Sequence, residues 1–182
     1  MKKYVWLTML LTALFATNAL AAGGRIAFVD TQTVFDKSKL GKKYQSIVRD
    51  YYESRKKILD MDADEIQRLQ DEYARQGKLL NEKAQKEKEE SLGRKINDFQ
   101  KKREDFSNEI SKKNEELSNE FNQRMVDVLK EIVKKEKVSL VLNKTINVLS
   151  KAEIPSVLYG DADLELTDKV IAELDKKEEK QP

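Results

Sequence analysis

Among its 182 residues the chain has no cysteine and no histidine. Without cysteine there is no disulfide framework, no thiolate metal site and no sulfur nucleophile. Without histidine the commonest general base and the commonest transition-metal ligand are missing. Serine–histidine–aspartate hydrolysis and the usual zinc hydrolase sites are excluded. Proline occurs twice and aromatic residues make up only 7%. With 37% charged and 39% hydrophobic residues, little apolar material is left to close a cavity against water. The chain therefore reads as a non-enzyme with no cofactor and no metal.

What is there begins with a short positive start, Met1-Lys2-Lys3, and an uncharged, largely apolar run from Tyr4 to Ala16. Small residues two apart, Ala19 and Ala21, follow. This is the pattern of a cleavable signal peptide over residues 1–21, and it implies export to a bacterial periplasm. The run is short for crossing a hydrocarbon core of roughly 30 Å. Removing Lys2 and Lys3 lowers the 35 basic residues to 33, equal to the 33 acidic ones. A neutral mature chain has no field to attract nucleic acid, and weak or no direct membrane binding is expected.

From Lys42 to Lys137 there is no proline, and lysine, glutamate, glutamine and arginine dominate. Leu92, Ile96, Phe99, Arg103, Phe106, Ile110, Lys113 and Leu117 follow one another at alternating steps of four and three. Leu59, Asp62, Ile66, Leu69, Tyr73, Gln76 and Leu80 do so in steps of three and four. Each is a heptad seam interrupted by polar residues. A turn near residues 77–82, with Gly77 ending one helix and Asn81 capping the next, sets the seams face to face. Leu69 then meets Leu92, and Ile66 meets Ile96. One continuous helix in an intermolecular coiled coil is the alternative. The segment Asn81–Ser91, whose only apolar residue is Ala84, favours the hairpin. Seams this thin predict a pliable arm. Tyr51, Ile58, Met61 and Leu79 lie off the seam, either as contact points for a partner or as single surface side chains.

Apolar density returns at the ends. Residues 25–30 read as a strand, with Thr31 or Thr33 capping a short helix. Further strands are expected at residues 138–143, 146–149 and 156–160, and Thr167 as the cap of a last helix. The expected division is a β-rich oligomerisation body from residues 22–41 and 121–176, a helical arm over 42–120, and a frayed charged tail at 177–182. Ile26, Phe28, Leu140, Leu142 and Leu158 are its expected body and subunit-interface core. A body of about 70 residues is marginal alone, which favours oligomerisation. The fold class is α+β, a small β-rich body with a long antiparallel helical hairpin inserted between its N- and C-terminal strands. Alternating carboxylates at Asp60, Asp62 and Asp64 before Glu65 lack the glycine of a calcium loop and read as a solvated helix face.

The order of these parts resembles one family. Ile26-Ala27-Phe28-Val29-Asp30 is followed by Val34-Phe35 and a charged hairpin. Leu140-Val141-Leu142-Asn143-Lys144-Thr145, Val157-Leu158-Tyr159 and Asp163–Ile171 then come in turn. Together with the signal segment, this is similar to the OmpH-like (Skp-like) family of periplasmic chaperones. The resemblance implies a homotrimer whose helical arms surround a cavity. It implies that unfolded outer-membrane β-barrel proteins are held there without ATP. Relatives are often basic, whereas residues 82–105 here carry eight basic and seven acidic side chains. An exported coiled-coil adaptor with a folded partner is the competing reading of the same residues.

Overall fold

The computed structural model describes residues 24–148 and 152–180; the expected signal segment lies outside them. The elements are β1 (Arg25–Val29), α1 (Thr31–Lys37), α2 (Lys39–Gln76), a 3-10 turn (Gly77–Leu79), α3 (Glu82–Glu136), β2 (Val138–Asn143), β3 (Thr145–Val148), β4 (Ala152–Pro155), a second 3-10 turn (Ala162–Leu164) and α4 (Thr167–Glu178). Strands lie at both ends of the chain and a helical hairpin is inserted between them. The chain divides into two compact units. One holds the chain up to Val34 together with Asp127–Glu173. The other holds Phe35–Val126 and the chain from Leu174 onward.

In the first unit β1 and β2 pair in parallel, with Ile26 opposite Leu140 and Phe28 opposite Leu142. The far edge of β1 is occupied as well, by a bridge from Phe28 to Glu165 and by the Leu166 amide donating to the Phe28 carbonyl at 2.8 Å. Ala27, Phe28, Val29, Val34, Val128, Ile132, Leu166 and Val170 are buried. A short apolar run satisfied on both edges suits a strand covered by helices. Lys137 ends α3 in the left-handed region at φ 56°, a conformation that usually selects glycine. β3 and β4 form an antiparallel hairpin with Ile146 opposite Ile154.

Three local expectations are corrected. The cap of α1 is Asp30, whose Oδ1 accepts from the Thr33 amide at 2.9 Å. A carboxylate at that position reaches the third helical amide, which leaves Thr31 free to donate to Asn143. Thr167 begins α4, but its hydroxyl accepts from the Asp30 amide at 3.0 Å and donates to Glu165. The last strand is Ala152–Pro155, and residues 156–160 form a loop. Pro155, the last residue of β4, lacks a backbone donor. At the end of a two-stranded hairpin that donor is not needed. The loop instead brings Gly160 against the Phe28 ring, where a Cβ would come within 2.4 Å of Cε1.

In the second unit α2 begins at Ser38, a buried cap whose Oγ accepts from the Gly41 amide at 3.1 Å. α2 runs 38 residues, about 57 Å at 1.5 Å per residue. The Gly77 amide returns to the Tyr73 carbonyl, and the Asn81 Oδ1 accepts from the Ala84 amide at 2.9 Å. The Gln85 side chain closes the turn onto the Gly77 and Leu80 carbonyls. The root of the hairpin is well packed. Leu40, Tyr44, Leu117, Phe121, Met125 and Leu174 are buried, and Phe35 meets Phe121 edge to face at 4.9 Å. The tail from residue 177 was expected to fray; its described part, as far as Glu179, is tied down. Asp175 accepts from the Lys39 amide at 2.7 Å, Glu178 pairs with Lys43 and Arg124, and Glu179 pairs with Lys39.

Tyr44 carries a testable consequence. Its hydroxyl is buried with no hydrogen-bond partner among the described residues. Burial pushes the phenol well above its ordinary value, and the nearby Glu120 adds to the push. An unsatisfied buried hydroxyl costs about 1–3 kcal/mol, so Tyr44→Phe is expected to hold or raise the urea midpoint, by up to about 1 kcal/mol in stability. A fall of that size would show that the hydroxyl is bonded to Glu120.

Candidate functional site

Beyond its root the arm changes character. Leu59, Ile66, Leu69, Tyr73, Leu92, Ile96, Phe99, Phe106 and Ile110 are all only half-buried. Apolar contact alone is thin, and ion pairs run beside it. Lys102 pairs with Asp62 at 2.5 Å, Lys95 with Glu65 and Lys88 with Glu72 at 2.7 Å, and Arg55 with Glu109 at 3.1 Å. The Glu65–Lys95 and Glu72–Lys88 pairs lie one heptad apart on both helices, which fixes an antiparallel register. Asp62 and Glu65, with Asp60 on Lys56, are thus engaged by lysines, so these carboxylates brace helices.

This bracing is sensitive to acid. Hydrogen bonds from Lys88, and from Tyr51 and Arg55, hold Glu72 and Glu109 respectively below their ordinary 4.5. A lowered folded-state value means that the stabilisation is present above 4.5 and lost as pH falls through the folded values. Amide protection in residues 50–110, relative to the intrinsic exchange rate at each pH, is therefore expected to fall below about pH 4.5, ahead of the root. Arm and root amides losing protection together would refute this.

The half-buried seam leaves an open groove on the hairpin. Tyr52, Leu59, Ala63, Phe99, Phe106 and Ile110 supply its apolar lining, and Arg55, Lys56, Arg103 and the carboxylate Asp60 its charged lining; its volume is about 470 Å³. A second opening of similar volume, about 470 Å³, shares Tyr52 and Ile110 and continues toward Val48 and Leu117 at the root. Arg55 lies over the Tyr51 ring at 4.4 Å and the Phe106 ring at 5.1 Å. The groove is therefore aromatic in its walls and wet at its mouth.

The off-seam candidates fare differently. Ile58 is partly exposed, Met61 is 63% and Leu79 85% exposed. Tyr51 is not off the seam: its hydroxyl donates to Glu109 at 2.7 Å and accepts from Arg55 at 2.9 Å. Tyr52 is the tyrosine left open, and it lines both grooves. A signal for it was present. Continuing the first seam back from Leu59 gives Arg55, Tyr52 and Val48 at steps of four, three and four.

In the strand-bearing unit, Phe28 is buried, while Ile26, Leu140 and Leu142 are exposed and Leu158 is 89% exposed. The pairing puts Ile26, Leu140 and Leu142 on one face of the β1–β2 sheet, because paired residues share a side. Phe28, opposite Leu142, belongs to the same face and is covered by the loop at Gly160, so the face is open in the chain at Ile26, Leu140 and Leu142. Within the chain, then, Phe28 alone of the five expected core residues is core.

The fold class is that of a short parallel sheet in one unit and, in the other, a long helical hairpin braced by ion pairs, with apolar side chains open along it. The sequence model of the family described as Outer membrane protein (OmpH-like) matches residues 25–174. The chain belongs to that family. Its structure is similar to the crystal structure of a Caulobacter crescentus protein described as an outer membrane chaperone (OmpH-like). The two share a TM-score of 0.75 and 14% identity over 85% of each chain. At that identity the likeness is one of fold. No curated protein matches the chain. Among the described residues no helix is long and apolar enough to cross a membrane.

Proposed function

We propose that the chain is an ATP-independent periplasmic holdase. It binds unfolded outer-membrane β-barrel proteins between the arms of a homotrimer and keeps them soluble for insertion. Residues 22–41 and 121–176 form the assembly body, residues 42–120 the arm, and residues 1–21 the removed export signal. The observation that carries the reading is the open aromatic groove on an otherwise charged arm. Unfolded barrel strands offer alternating apolar side chains. Many shallow contacts in a shared cavity retain such a chain through effective concentration while letting it leave. The uncovered face of Ile26, Leu140 and Leu142, with the exposed Leu158 and Tyr159, supports assembly, since monomers seldom leave such faces open. Neutral net charge after export argues against nucleic acid and for weak or no membrane contact.

The test is light scattering on urea-diluted outer-membrane barrel protein, without nucleotide, with and without the mature chain. Suppressed aggregation at about one trimer per client supports the reading. Undiminished aggregation, from folded and trimeric material, refutes it and favours an adaptor with a single folded partner.

A further inference from the structure

The groove between Tyr52 and Ile110 has one cation that its own helices leave unused. Lys56 is paired with Asp60 at 2.6 Å, and Arg55 with Glu109 at 3.1 Å. Along the same hairpin Lys88, Lys95 and Lys102 are each engaged by a carboxylate. Arg103 has no carboxylate within ion-pair distance among the described residues. Its guanidinium stands 6.0 Å from the Phe99 ring centroid, at the edge of the groove. Guanidinium is weakly hydrated and presents a planar fork that suits a carboxylate. The groove thus offers an apolar floor and an available cation about one side-chain spacing apart.

That spacing has a match in extended polypeptide. Side chains two positions apart on an extended chain point the same way and are separated by roughly 7 Å. We infer that the groove is a charge-selective subsite for unfolded polypeptide in which an aromatic or aliphatic residue is followed two positions later by Asp or Glu. The apolar side chain lies on Phe99 and Phe106, and the carboxylate meets Arg103. This deepens the holdase reading and rests on it, giving the arm a preference among unfolded segments rather than general stickiness. A basic residue at the same place would face Arg103, whose charge no carboxylate of the described residues offsets, while Arg55 and Lys56 are already paired.

The test uses two fluorescein-labelled ten-residue peptides with identical tyrosines, one carrying Asp and the other Lys two positions after each. Both are titrated into the full mature protein by anisotropy, and the same samples are run in the barrel-aggregation assay. The wild type is expected to prefer the Asp peptide by about tenfold, as a charge-assisted contact implies. Arg103→Gln should abolish the preference and Arg103→Glu reverse it. Arg103 is exposed, so both variants should keep their circular dichroism. Equal binding of the two peptides, or a preference unmoved by Arg103→Glu, overturns the subsite. Binding of neither peptide with barrel protection intact also overturns it, places the groove against a second copy, and leaves the holdase reading standing. Loss of barrel protection in the wild type overturns that reading itself.

Discussion

Leu140→Asp combined with Leu142→Asp is expected to convert the proposed homotrimer to single chains and to abolish the proposed barrel protection with it. Both leucines are exposed in the chain, on one face of the β1–β2 sheet beside Ile26. The folded chain therefore tolerates the change. An interface does not. Each leucine forfeits about 1.5–3 kcal/mol of burial, and a carboxylate buried there without a partner costs more. Symmetry repeats the loss in every subunit. Analytical ultracentrifugation and far-ultraviolet circular dichroism read the two effects separately. A species of unchanged mass would show that this face is not the interface. A monomer with full barrel protection would show that one arm suffices.

Gly41→Ala should destabilise the root of the arm, against the direction that helix propensity alone predicts. Gly41 lies in the first turn of α2, where alanine is favoured by about 1 kcal/mol. A Cβ there would stand 1.8 Å from the Phe35 carbonyl oxygen and 2.7 Å from its carbon. The obstacle is backbone, so α1 and α2 must separate, disturbing the Phe35–Phe121 contact and the Ser38 cap. Overpacking typically costs about 1–3 kcal/mol, and a backbone obstacle this close sets the upper end of that range. The net loss of roughly 2 kcal/mol corresponds to a fall in Tm of about 4–8 °C for a chain of this size. A rise in Tm would mean that the two helices approach less closely.

Periodicity explains why so much of the arm was legible. Heptad spacing is local and repeats, so Leu59 through Leu80 and Leu92 through Leu117 marked two helices, and Gly77 and Asn81 marked the turn between them. Misreadings arose where contacts distant in sequence decide. Asp30 caps α1 because it lies at the correct offset, but Thr167, 137 positions away, takes its amide. Residues 156–160 have strand composition yet form a loop, because Gly160 must lie against Phe28. Tyr51 and Tyr52 are adjacent and chemically identical. The heptad steps single out Tyr52, while Glu109 on the opposite helix and Arg55 tie Tyr51 down.

The sequence by itself determined the absence of thiol and imidazole chemistry, the helical period of the middle, the apolar strands at the ends and the family resemblance. Each depends on composition or on neighbours a few residues apart. Tertiary structure alone decided which cations are engaged by carboxylates, which seam residues stay half-open as a groove, and which sheet face is left uncovered. Those depend on what two helices and two strands, far apart in the chain, present to each other once folded. Pairing between charges and closure of a seam are properties of that meeting, and no single segment encodes them.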